Sequence, residues 1–146
     1  MLKLLGISSE QHNRRAMLIA VSIIITFILL RSYLYFMPST NLDVGSYNIH
    51  HLFVGVLLIT VAGVPLILFN GMSRFLELAS IAFGSGLSLI LDEWVYLIVT
   101  DGSDSAYLLP VSFWGAVAMI ILALIYIIIL SCYGSKIIPN HSVKKE

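Results

Sequence analysis

Charge is what this chain of 146 residues has least of: Asp, Glu, Lys and Arg make up 11% of it, where a soluble domain carries about 25%. So few charged residues cannot cover a core whose sequence is 59% apolar, and a soluble globular enzyme is excluded. Eight basic residues against eight acidic ones leave no net charge, which argues against nucleic-acid binding driven by overall charge. The single cysteine, Cys132, excludes an internal disulfide, a CxxC redox pair and a cysteine-rich zinc site. The length suits one domain, and neither an internal repeat nor a low-complexity tract is visible outside the apolar runs.

Those runs are what is abundant, and they raise the mean hydropathy to +0.98. A hydrocarbon layer of about 30 Å needs roughly 20 helical residues. Four stretches qualify, near 16–37, 51–69, 75–99 and 111–132. Breakers separate them: Pro38-Ser39-Thr40-Asn41, the tight turn Asn70-Gly71, Asp101-Gly102-Ser103-Asp104 with Pro110, then Gly134 and Pro139. The runs are too long for strands and lack period-2 alternation. The expected fold is all-α, a single four-helix transmembrane bundle.

Lys3, Arg14, Arg15, Arg74, Lys136, Lys144 and Lys145 all fall on one side of that bundle, seven of the eight basic residues. The other side carries Asp43, Asp101 and Asp104. The positive-inside rule then predicts both termini in the cytoplasm. The first apolar run exceeds the roughly 7–15 residues of a signal-peptide core, and no small-x-small cleavage site follows it, so it is expected to be retained.

Ionisable residues within spans cost on the order of 2.5–3.5 kcal/mol each near the helix centre, and need a partner or water. Arg31, the pair His50-His51, Glu77, and the pair Asp92-Glu93 are such residues. At 1.5 Å per residue, Arg31, Asp92 and Glu93 lie about 9–10 Å inside the outer ends of their spans. The histidines sit at that same boundary, so all five share the outer half of the bundle. Ser80, Gly84, Ser88 and Asp92 recur every fourth residue, a small-residue stripe that turns Asp92 toward other helices. His51 shares a face with Gly55 and Gly63 and points inward. His50 continues into Val54, Leu57 and Val61, a lipid or headgroup face. Glu77 is spaced to pair with Arg74. Trp94, Tyr96, Tyr107, Trp114, Tyr33 and Tyr35 read as an interfacial aromatic belt. Pro65 is expected to bend the second span toward its cytoplasmic end, at a point well away from the cluster.

Three chemistries fit these residues. The first is a site for a divalent metal (zinc, iron or manganese) built from His51, Asp92 and Glu93, with His50, Asp101 and Asp104 as further ligands. A metal would neutralise the buried acids, and with bound water it would suit hydrolysis of a lipid-linked or periplasmic small substrate. Glu93 would then be the base, and Arg31 would orient Asp92 or hold an anionic substrate group. The second is a structural salt bridge from Arg31 to Asp92 or Glu93 in a non-enzymatic membrane subunit. The third is a proton or cation transport component, although no comparable groups cross the inner half. No HExxH motif, Walker loop or nucleophile elbow is present. The expected surroundings are membrane lipid, with a homo-oligomer compatible.

The segments Ile49-His50-His51-Leu52-Phe53-Val54-Gly55 and Gly84-Ser85-Gly86-Leu87-Ser88-Leu89-Ile90-Leu91-Asp92-Glu93 resemble the IHHxxxG and GxGxxLxxDE segments of a group of small bacterial four-helix integral membrane proteins. The resemblance implies a bacterial inner-membrane location. It also implies that His50, His51, Gly55, Gly84, Gly86, Asp92 and Glu93 act as a set, without supplying a reaction.

Overall fold

The structure is a computed structural model that describes residues 9–37, 43–44, 47–48, 50–71 and 73–137. Helix α1 (Ser9–Phe36) leads to a two-residue antiparallel ladder, β1 (Asp43–Val44) with β2 (Tyr47–Asn48). Then come α2 (His51–Leu68), α3 (Arg74–Val99), the single turn α4 (Asp104–Tyr107) and α5 (Pro110–Ile137). The four longer helices are each long and apolar enough to cross a membrane. The ladder and α4 were not expected from the sequence, and α1 and α5 each extend beyond the expected span.

Local chemistry explains the boundaries. Gly71 takes φ +98°, a left-handed turn that L side chains rarely adopt. Ser73 then caps α3, its side chain accepting the Leu76 N–H at 3.3 Å. Pro110 opens α5, where its missing N–H costs nothing.

Helix α3 is the central one. Of its apolar window 44% is buried, against 11% in each of the other three, and it packs against α1, α2 and α5. The small-residue stripe makes this possible. Ser80, Gly84, Ser88 and Asp92 are all buried. Across α2 and α3 the contact is backbone against backbone: a Cβ on Gly55 would lie 2.6 Å from the Gly86 carbonyl, and one on Gly86 would lie 2.7 Å from the Gly55 carbonyl. Ser88 Oγ donates to the Ile23 carbonyl at 2.9 Å, and Thr26 Oγ1 to Ser85 Oγ at 3.0 Å, stitching α1 to α3. Ile23, Leu91 and Ile120 form the apolar core among α1, α3 and α5. Large apolar side chains such as Ile28, Leu29, Val61, Ile67 and Ile128 point outward, the face a bundle presents to lipid rather than water.

At the end where α3 begins, Glu77 pairs with Arg14 of α1 at 2.9 Å, not with Arg74. Helix α1 passes close enough to offer its arginine across the interface, a tertiary proximity that the i, i+3 spacing could not reveal. Beside it, Arg15 Nη2 donates to the Gly71 carbonyl at 2.7 Å.

Candidate functional site: a buried cluster of charge

At the opposite end, where α3 runs toward α4, five ionisable side chains from three helices meet. Asp92 is fully buried and Glu93 is 3% exposed. Both sit on α3 because the stripe of small residues lets α1 and α2 close over that face.

Arg31 reaches them from α1. Its Nε donates to Asp92 Oδ1 at 2.6 Å. Its Nη1 donates to the Tyr107 carbonyl at 3.2 Å, and Nη2 to the Ser112 carbonyl at 3.3 Å. One guanidinium thereby ties α1 to α3, α4 and α5. Its Cζ lies 4.2 Å from the centroid of the Tyr107 ring, with Phe113 and Phe27 at 5.8 and 5.9 Å. The aromatic faces stabilise a cation withdrawn from water.

The histidines come from the start of α2. His51 Nε2 lies 3.0 Å from Asp92 Oδ2 and Nδ1 lies 3.2 Å from Glu93 Oε1, so the ring spans both acids. His50 Nδ1 lies 3.1 Å from the same Glu93 oxygen. The expectation that His50 faces lipid or headgroups is corrected. It precedes the helix with φ −59° and ψ 140°, and extended backbone there turns its ring off the helical stripe. Glu93 Oε2 accepts the Leu52 N–H at 2.8 Å. His50 makes no side-chain cap hydrogen bond, so the carboxylate of α3 caps α2 in its place, at the positive end of the helix dipole.

Helix α4 closes the cluster from above. The Tyr107 hydroxyl donates to Asp92 Oδ2. Burial pushes the phenol well above its usual range, and the Asp92 charge pushes the same way. Ser112 Oγ donates to the Ala106 carbonyl at 2.7 Å and Tyr96 Oη to the Ser103 carbonyl at 3.1 Å, holding the loop down. Tyr96 and Tyr107 are 2% and 8% exposed and stack edge to face at 5.4 Å. They are internal, correcting their assignment to an interfacial belt. Trp94, Trp114, Tyr33 and Tyr35 are exposed.

Of the residues singled out from the sequence, Arg31, His50, His51, Asp92 and Glu93 are brought together. Asp101 is not. It is exposed, and Ser103 hydrogen-bonds its carboxylate at 2.7 Å, which holds it below the usual range. A turn that satisfies itself locally keeps this acid in solvent. The side chains of Asp43 and Asp104 lie outside the described residues. Tyr107, read from the sequence as an interfacial aromatic, is the partner whose hydrogen bond to Asp92 sequence reasoning missed. Its signal was the apolar half of the loop, Ala106-Tyr107-Leu108-Leu109, too hydrophobic for a solvated connection.

Every buried side-chain nitrogen and oxygen among the described residues has a hydrogen-bond partner. Among those residues, no group of three or more His, Cys, Asp or Glu is arranged around a common point for a metal ion. No protein-family model, curated protein or solved structure matches the chain.

Proposed function

We propose that this chain is a small multi-pass protein of the bacterial inner membrane, with both termini cytoplasmic. We propose further that its buried cluster is a structural lock in a non-enzymatic subunit. The observation that carries the lock is that each side-chain oxygen of Asp92 and Glu93 already accepts from the protein. The donors are Arg31 of α1, His50 and the first turn of α2, and Tyr107 of α4. A buried ion pair is weak evidence for added stability, and in some proteins it serves instead to specify one arrangement, the role assigned to this one. Four apolar helices that could slide past one another in lipid are thereby set in a single register. A subunit of this kind presents fixed helix faces to membrane lipid, to a partner, or to a second copy of itself. The cytoplasmic termini rest on the seven basic residues that share one side, and the bacterial origin rests on the resemblance of the IHHxxxG and GxGxxLxxDE segments. Arg31→Leu and Asp92→Leu, singly and together, test the lock. The double variant should recover folded protein and cellular function lost in each single one. Recovery of fold without function would overturn a purely structural role.

The second reading is a divalent metal (zinc, iron or manganese), which the donor types support, with His51 at 3.0 Å from Asp92 and 3.2 Å from Glu93 and His50 at 3.1 Å from Glu93. These groups would have to re-aim, since they share no common point for an ion among the described residues. His50, His51, Asp92 and Glu93 would hold the ion, which would supply a Lewis acid for hydrolysis of a lipid-linked or periplasmic small substrate. Glu93 would serve as base, and Arg31 would orient Asp92 or bind an anionic substrate group. Elemental analysis of purified protein beside His51→Ala and Asp92→Asn variants of equal fold decides it. Near-stoichiometric metal lost in both variants supports this reading, and protein that stays metal-free after loading refutes it.

A further inference from the structure

Opposite the buried cluster, the start of α1 and the turn between α2 and α3 enclose a cleft of about 190 Å3, part of it open to the surroundings. A pocket for a whole small molecule takes roughly 300–1,000 Å3, so this one has room for a single charged group. Arg14 and Arg15 of α1 line it, together with Gly71 of the turn and Ser73, Leu76 and Glu77 of α3. The two arginines are compensated differently. Arg14 pairs with Glu77 at 2.9 Å. Arg15 is half-buried, and its one hydrogen bond among the described residues goes to a neutral acceptor, the Gly71 carbonyl at 2.7 Å. A guanidinium carries five N–H donors, so most of those on Arg15 are unused, and its charge meets no carboxylate among the described residues. A charge held in this way at the end of a membrane span calls for a partner.

The balance of charge in the cleft says which partner. Two guanidiniums against one carboxylate leave a single positive charge. Outside the cleft, exposed Arg74 and Glu10 cancel each other. A phosphodiester, with one negative charge, brings the cleft to neutrality, whereas the dianion of inorganic phosphate would leave excess negative charge beside Glu77. The neighbouring surface supplies the rest. Toward the middle of the bundle Met17 and Val21 follow Arg14 at i+3 and i+7, and Ile81 follows Glu77 at i+4, so each continues the helix face of its charged residue. They are 60%, 45% and 40% exposed. A basic pocket between membrane helices suits a lipid headgroup, and the bare apolar face below it suits the chains.

We propose that this cleft binds the headgroup phosphodiester of an anionic phospholipid. Arg15 and the Arg14 donors not engaged by Glu77 hold its oxygens, and the chains lie along Met17, Val21 and Ile81. The site rests on the placement of the helices in a membrane and not on the lock.

The test is native mass spectrometry of the full chain released from nanodiscs of phosphatidylglycerol, a monoanion, and phosphatidylcholine, a zwitterion, in equal parts. The protein should retain one phosphatidylglycerol in preference to phosphatidylcholine. Arg15→Gln should reduce that preference about tenfold or more. Arg74→Gln removes the same charge outside the cleft and should reduce it by no more than about fivefold, the weight of one basic residue near an anionic membrane surface. Glu77→Gln leaves Arg14 without its acid and should raise retention, which keeps the site testable if Arg15→Gln does not fold. Equal losses in Arg15→Gln and Arg74→Gln would show diffuse attraction and overturn the site, as would unchanged or weaker retention in Glu77→Gln. Displacement of phosphatidylglycerol by millimolar inorganic phosphate would assign the cleft to free phosphate and overturn the lipid. Protein that enters nanodiscs without preferring phosphatidylglycerol overturns the site alone, and protein that does not enter them overturns the membrane placement as well.

Discussion

Glu93 Oε2 accepts the backbone N–H of Leu52 at 2.8 Å, so an acid near the end of α3 serves as the cap of α2, forty-one residues away in sequence. The start of α2 is therefore made by a partner helix and not by its own flanking residues.

Glu93→Ala removes that cap together with the acceptor shared by His50 and His51. Loss of a helix cap costs about 1 kcal/mol, and stranding the imidazoles adds about 1–3 kcal/mol more. The expected outcome is faster amide exchange at Leu52 and Phe53, with the helix below Gly55 still protected. Uniform loss of protection along α2 would show that Glu93 supports the bundle globally and not this one end.

Among the described residues Arg31 and Asp92 form the most buried ion pair, with side-chain exposures of 10% and 0%. Breaking such a pair by removing one partner costs about 3–5 kcal/mol, whereas replacing both with apolar residues is nearly neutral. Chemical unfolding in detergent should show Arg31→Leu and Asp92→Leu each strongly destabilised and the double variant less so than their sum. At the other end, the Arg14–Glu77 pair is 46% and 29% exposed. An exposed pair is worth about 0–1 kcal/mol, so Glu77→Gln should be close to wild type.

Gly86→Ala places a methyl 2.7 Å from the Gly55 carbonyl, and Gly55→Ala one 2.6 Å from the Gly86 carbonyl. Neither backbone can swing aside, so α2 and α3 must separate, at a cost of about 1–3 kcal/mol for overpacking. Gly63→Ala, whose nearest neighbour would be Phe83 at 3.6 Å, should be tolerated. Equal melting behaviour of the three alanine variants would contradict this account of the α2–α3 interface.

Tyr107 has its phenol raised in the folded state by burial and by Asp92. The folded protein thus keeps a proton that the unfolded chain releases near pH 10. The sign of the linkage follows: stability from this group is present in full below about pH 10 and falls as the pH climbs above it. Tyr107→Phe should lower stability at neutral pH by about 1.5–3 kcal/mol, the value of a hydrogen bond to a charged acceptor, and flatten the alkaline loss. An alkaline limb unchanged by the substitution would assign it to another group.

The four helices long enough to span a membrane were legible from apolar run length and breakers alone, because lipid requires each crossing segment to satisfy its own backbone. The inward turn of Asp92 was legible as well, since Ser80, Gly84 and Ser88 mark the one face of α3 where a neighbouring backbone fits. His50 was misplaced for one reason, Tyr96 and Tyr107 for another. Helical periodicity has no hold on a residue ahead of its helix, and an aromatic near a span end satisfies either a membrane interface or a core. The pairing of Glu77 with Arg14 went unseen because sequence spacing reports neighbours on one helix and is silent about the next.

The sequence by itself determined that the chain is helical and apolar enough to live in lipid, and that a few charged residues share one end of its spans. Only the tertiary structure decided how those charges are satisfied. Helical repeat and hydropathy depend on residue type and order. Which oxygen meets which donor depends on how α1, α2 and α4 close over α3, and that is settled by the backbone contacts at Gly55, Gly84 and Gly86 and by the fold of one loop.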